Sequence, residues 1–161
     1  MAKSNNILKR VLPILLLGGA GFAAYKTVNL SSSIDKIKFD FKDIVYKGIK
    51  SFVLNLNVRF DIVNPSNNSF TIDFISLDLI LPNGKVIGQI RQPNFNKEIT
   101  QTGISTLTLA SKTNLLSGGM ALVNEVLSFF GGGSLPNVTV KGDIRANGIL
   151  LPINEIVKLS K

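Results

Sequence analysis

The side chains best suited to chemistry are three carboxylates, Asp61, Asp73 and Asp78, and three amines, Lys36, Lys38 and Lys42. Both sets lie in stretches that alternate apolar and polar residues, so strand pairing could turn the carboxylates toward one another. Facing carboxylates serve acid–base catalysis or hold a hard cation through oxygen. Lysines along one strand face would meet phosphate. The rest of the composition opposes both readings. The chain has no His, Cys or Trp, so it lacks imidazole, the commonest general base and transition-metal ligand, and also thiolate. It has no metal-ligand spacing and no glycine-rich phosphate loop. Carboxylates scattered over strands are ordinarily solvated, and so is a basic stripe without interleaved aromatic residues. The sequence therefore points away from an enzyme, from catalytic, metal or cofactor-binding residues, and from specific nucleic-acid recognition.

The element that must position these residues is the stretch from Phe52 to Pro65. Phe52, Leu54, Leu56, Val58, Phe60 and Ile62 occupy every second position, with Asn55, Asn57, Arg59 and Asp61 between them. That is the period of a strand with one buried face, and a slip of one residue would expose the whole row. Ile37, Phe39 and Phe41 alternate with Lys38, Asp40 and Lys42 as an earlier strand, with Gly48 in the connection. Asn64 and Pro65 end the organising strand in a turn. Phe70, Ile72 and Phe74 resume the alternation, and the parity then changes to Ile75, Leu77, Leu79 and Leu81, which predicts a bulge near Phe74 and Ile75.

Asn83 and Gly84 form a hairpin signal, since two-residue loops need positive φ at both positions, and Asn147 with Gly148 repeats it. Val86 to Ile90 and Ile104 to Leu109 read as further strands. Thr113 or Asn114 caps a helix whose apolar residues Leu116, Met120, Val123, Leu127 and Phe130 share one face, and Gly131 to Gly133 stop it. Gly118 and Gly119 weaken its first turn and move the expected start toward Met120. Val138, Val140 and Ile144 make a strand with Gly142 as a bulge. Ile149 to Ile153 follows, and Ile156, Val157 and Leu159 read as an edge strand or tail. The sum is a mainly β chain, a two-layer antiparallel β-sandwich of about seven strands with one α-helix. Its apolar inner rows are more naturally a packed core than a lipid cavity.

The net charge of +8 is uneven, because residues 1 to 50 hold nine Lys or Arg against three Asp. Lys3, Lys9 and Arg10 precede an apolar run from Val11 to Tyr25, built on Leu12, Ile14, Leu15, Leu16, Leu17, Phe22 and Tyr25 itself, and Lys26 ends it. As helix the strictly apolar part covers about 22 Å, short of a hydrocarbon core of roughly 30 Å, which suits a signal peptide. If the flanking basic residues snorkel and Tyr25 sits at the interface, the helix is long enough to span. No clean small-residue cleavage site follows, so an N-terminal transmembrane helix, a retained single-pass anchor, is the favoured reading. Residues 1–30 are then a basic N-terminus with its anchor and residues 31–161 the folded domain. The lipid bilayer is one partner, with other proteins or an oligomeric assembly as further partners, and the soluble domain is expected outside the cytoplasm.

From about Ile34 to Ile156 the chain resembles the WHy (water stress and hypersensitive response) domain of atypical late-embryogenesis-abundant proteins. The residues that carry the likeness are Phe60 to Ser66 with Asn64 and Pro65, then Leu79 to Gly88, the single helix, Val140 to Ile144, and Gly148 to Pro152. The resemblance implies a fibronectin-like β-sandwich and a non-enzymatic, stress-protective or binding role, with Asn64 and Pro65 as fold-defining turn residues. The N-terminal apolar segment and the basic neck depart from a free cytosolic member of that family. The alternative is a minor structural membrane protein of a lipid-containing virus particle, located in the virion membrane, which the small size, the anchor and the lack of chemistry also suit.

Overall fold

The computed structural model describes residues 36–132 and 134–161. The expected anchor, with Leu12, Ile14, Leu15, Leu16, Leu17, Phe22 and Tyr25, lies outside the described residues. Among the described residues no helix is long and apolar enough to cross a membrane. The elements are β1 (Lys38–Lys50), β2 (Val53–Asn64), β3 (Phe70–Ile80), β4 (Val86–Gln92), β5 (Lys97–Ile99), β6 (Gly103–Asn114), a 3-10 turn (Leu115–Gly118), α1 (Gly119–Phe130), β7 (Asn137–Ala146) and β8 (Ile149–Ser160).

The alternating row of β2 is buried as its period requires. Leu54, Val58, Phe60 and Ile62 are fully buried and Leu56 is 1% exposed, while Asn55, Asn57, Arg59 and Asp61 look outward. Phe60 packs its ring against Phe41, at 4.8 Å between centroids, and against Phe39 at 6.3 Å. Inward rows from β3, β7 and β8 join the same core, including Ile72, Leu77, Val140, Ile144, Leu151 and Val157. Phe52 does not belong to the row. It sits with Ser51 in the β1–β2 turn, both at positive φ (62° and 51°), and is 47% exposed. Gly48 lies within β1, at φ 110° and at a register break after Tyr46, so the first strand runs on to Lys50.

The described residues are mainly β with a single α-helix, and their sheet is nearly closed. Its order is β4-β3-β7-β8-β1-β2-β6, with β5 also paired to β3. Every pairing is antiparallel except β1 with β8, which is parallel and touches only at Ile44 opposite Leu159 and Val45 opposite Ser160. That short step joins two halves expected as separate layers, and there are eight strands instead of about seven. The expected tail at Ile156 to Leu159 is the second half of a continuous β8, inside the sheet and not at its edge. Its meagre contact with β1 leaves Pro152 on an unpaired margin, where a missing N–H is tolerated. The other margins meet through a side chain: Ser111 Oγ on β6 accepts from the N–H of Gln89 on β4 at 3.0 Å and donates to its C=O at 3.2 Å.

The bulge expected near Phe74 lies at Asp73, between the pairs Ile72–Ala146 and Phe74–Arg145. Gly142 makes no bulge. It pairs in register with Leu77 and Ile153, and glycine is required there because φ is 150° and a Cβ would lie 2.0 Å from the Ser76 carbonyl oxygen. The helix also buries a different face. Asn114 Oδ1 accepts from Leu116 N–H at 3.0 Å, as a cap should, but the 3-10 turn and Gly119 at φ 79° reset the helical phase. Leu122, Val123 and Val126 therefore face the core, and Leu116, Met120 and Leu127 face outward, 48%, 60% and 47% exposed.

Candidate functional site

The three carboxylates do not converge. Asp73 pairs with Arg145 Nε at 2.6 Å, Asp78 with Arg91, and Asp61, on the other half of the sheet, accepts from Thr106 Oγ1 at 2.7 Å and meets Lys42 Nζ at 3.3 Å. Lys42 is also held by Asp40 at 2.5 Å, which interrupts the basic stripe expected from Lys36 to Lys42. Arg59 forms a two-pronged pair with Asp43. The Thr106 hydroxyl and then Lys42 hold the Asp61 carboxyl below the usual carboxylate range, and Arg59 does the same for Asp43. Glu155 is pushed up, first by its burial and then by Asp40 nearby. Among the described residues no group of three or more acidic side chains is arranged to hold a metal ion.

The turn residues stitch chain segments together. Asn64, 1% exposed, donates through Nδ2 to the carbonyls of Asn68 at 2.8 Å and Thr100 at 2.9 Å. Its Oδ1 accepts from the Ser66 N–H at 3.1 Å and hydroxyl at 2.7 Å, while Pro65 leads the chain out of β2. Asn147 and Gly148 both have positive φ, 47° and 80°, and form a two-residue hairpin turn. In the other hairpin only Gly84 does, at 85°. Pro82, its φ fixed negative, takes the second turn position, Gly84 N–H bonds Leu81 C=O at 2.9 Å, and Leu81 N–H closes the loop onto Lys85 C=O at 2.8 Å. Asn83 instead reaches α1, donating to Glu125.

The feature open to a partner is the margin of β6 away from Ser111, whose hydroxyl ties the strand to Gln89 of β4. Leu115 N–H donates to Phe52 C=O at 2.9 Å, and these residues extend the β2–β6 ladder, whose register runs without a break from Val53 opposite Asn114 to Asn64 opposite Gly103. The bond sets the phase of the ladder. Ser105, Leu107, Leu109, Ser111 and Thr113 turn their N–H and C=O groups to β2. Ile104, Thr106, Thr108, Ala110 and Lys112 turn theirs the other way, and these five are exposed. Among the described residues their main-chain groups have no β-ladder partner on that side. Natural edges are blunted by proline, bulges, inward charge or short length. This margin is 12 residues long, unbulged, free of proline, and charged only at Lys112. The sequence shows the composition, an uncharged Ser- and Thr-rich strand, but which strand ends up on a margin is a property of the whole topology.

A scan of the sequence against protein-family models gives no match, and a search of curated proteins gives none. Solved structures do match in shape. A crystal structure of a protein from Archaeoglobus fulgidus has 10% identity and a TM-score of 0.50, covering 74% of this chain and 94% of that one. A structural-genomics target solved by X-ray diffraction has 11% identity and a TM-score of 0.49, covering 83% and 90%. The solution structure of a candidate late embryogenesis abundant (LEA) protein has 18% identity and a TM-score of 0.43, covering 80% and 74%. The likeness to the archaeal protein is one of fold.

Proposed function

We propose that this chain is a non-enzymatic, WHy-like polypeptide-binding module, held at a membrane by its N-terminal segment, that protects other proteins under stress by pairing with their extended segments. The observation that carries the reading is the free margin of β6. Main-chain donors and acceptors at strand spacing are matched by one kind of macromolecule, another extended backbone, and strand addition is a recurrent way of binding it. The outward residues Thr106, Thr108 and Ala110 are small and uncharged, so they suit segments of varied sequence. The non-enzymatic part is supported by the absence of His and Cys from the whole chain and by the separate ion pairs of Asp61, Asp73 and Asp78. The membrane part is supported by the apolar run from Val11 to Tyr25 and the basic residues around it.

Thr108→Pro tests the reading. Its N–H points away from β2, so proline there removes an outward donor without breaking the β2–β6 ladder, and Leu107 is already extended as a residue before proline must be. The expected stability change is about 1 kcal/mol or less. A labile enzyme dried with the full chain should recover more activity than with an inert carrier protein, and with the T108P chain no more than with the carrier. Equal protection by T108P would remove the β6 margin from the account, and no protection by either chain would remove the protective role.

A further inference from the structure

Ile104, Leu150 and Ile156 are exposed singly on strands, whereas four other exposed apolar side chains belong to the β1–β2 turn and the segment from the 3-10 turn through α1. Phe52 is 47% exposed, Leu116 48%, Met120 60% and Leu127 47%. They belong together, because Leu115 N–H bonds Phe52 C=O, Leu116 follows directly, and Met120 and Leu127 lie on the outward face of α1, seven residues apart. Tyr46 stacks on Phe130 at 3.8 Å and fixes the far end of the helix to β1. Phe52 is moreover held at φ 62°, next to Ser51 at 51°, a conformation that asparagine and glycine adopt readily and a bulky aromatic does not. The fold keeps a phenyl ring outside, on a strained turn.

Charge identifies the occupant. Lys50 flanks the turn opposite Val53, Lys47 lies three residues earlier in β1, at the register break before Gly48, and Lys112 stands opposite Asn55. All three are exposed. Among the described residues Lys42, Arg59, Lys85, Arg91 and Arg145 have carboxylate partners. Lys47, Lys50 and Lys112 have none, a condition they share with Lys36, Lys38, Lys97, Lys141, Lys158 and Lys161, but these three lie toward the ends of β1 and β6 that lead to the Phe52 turn and Leu116. Glu125, the acid on α1, is already taken by Lys85 at 2.7 Å. An apolar tip flanked on its strand side by three unpaired lysines matches a bilayer surface in which acyl chains lie beneath anionic headgroups. We infer that this end, formed by Phe52, Leu116 and Met120 with Lys47, Lys50 and Lys112, docks on an anionic lipid surface. The site is distinct from the N-terminal segment. The chain enters β1 at Lys38, and the 13 residues of that strand put the tip about 40 Å from the point of entry.

The test uses the full chain, which has no native cysteine, carrying an environment-sensitive fluorophore through L116C or, as mid-strand control, T108C. Each is mixed with phosphatidylcholine vesicles with and without phosphatidylserine. With the anionic vesicles the probe at position 116 should shift to the blue and be quenched by lipid-borne quenchers, while the probe at 108 stays aqueous. K47E/K50E/K112E should weaken this response by on the order of a hundredfold, and raising the salt on the unreversed chain should weaken it similarly should the triple variant fold poorly. T108P should leave it intact, which separates this site from the β6 margin. A probe at 116 that remains aqueous on anionic vesicles overturns the inference. So does a response indifferent to lysine reversal and salt, and so does a shift without lipid that grows with protein concentration, which would assign the tip to a second copy of the chain.

Discussion

Gly142→Ala is expected to cost more than about 4 kcal/mol, enough to leave a domain of ordinary stability largely unfolded. The new Cβ would lie 2.0 Å from the Ser76 carbonyl oxygen and 3.0 Å from Leu77 Cα. Both are backbone atoms, and β7 is laddered on one side to β3 and on the other to β8, so neither strand retreats without breaking a ladder. The φ of 150° adds a conformation that an L-residue avoids. Gly148→Ala is the control. Its φ of 80° is also unfavourable, but nothing lies within 4 Å of the added carbon, so the cost should stay near 1 to 2 kcal/mol. Urea unfolding of the two variants reads the difference, and equal losses would mean that β3 and β7 do not approach as closely as described.

Phe60→Ala is expected to cost about 3 to 5 kcal/mol, from lost burial and the cavity left between Phe39 and Phe41. Phe52→Ala, eight residues earlier in the same alternating run, should change stability by only about 0.5 kcal/mol, because that ring is half in solvent on a strained turn. The contrast is a register test. Were the strand displaced by one residue, Phe60 would be outside and its removal harmless. Thermal or denaturant unfolding of both variants distinguishes the cases.

These two phenylalanines also mark how far the sequence can be read. The row from Leu54 to Ile62 is legible because period 2 over that length has one structural solution, and the bulge at Asp73 because the parity of apolar residues changes across it. Phe52 continues the same alternation and is nonetheless outside, since the chain must reverse between Lys50 and Val53 and the turn takes whatever residues stand there. The helix is legible, but its buried face is not. The stripe read from the sequence, Leu116, Met120, Val123, Leu127 and Phe130, shares only Val123 with the buried set Leu122, Val123 and Val126, and the 3-10 turn with Gly119 after it decides between the two faces. β8 reads as two pieces because Pro152, Asn154 and Glu155 interrupt its pattern, and packing between β7 and β1 overrides that interruption.

The carboxylates were legible as isolated groups and their separation as a surface pattern, although the particular partners, Arg145 for Asp73 and Arg91 for Asp78, depend on cross-strand register. The open margin of β6 was not legible at all. Its residue types suit any strand, and only the order β4-β3-β7-β8-β1-β2-β6 leaves it with a ladder partner on one side and no more than the Ser111–Gln89 bonds to β4 on the other. The exposed tip has the same origin, being assembled from the β1–β2 turn and α1, which are far apart in the chain.

Residue-resolved amide hydrogen exchange on β6 addresses the binding margin most directly. In the free chain the amides of Ser105, Leu107, Leu109 and Ser111 should exchange slowly and those of Ile104, Thr106, Thr108 and Ala110 quickly, alternating one by one along the strand. Adding a permanently unfolded polypeptide should slow the second set to the level of the first. Uniform protection along β6 before anything is added, or a second set that stays fast under saturating polypeptide, would contradict the existence of an open edge that receives another backbone.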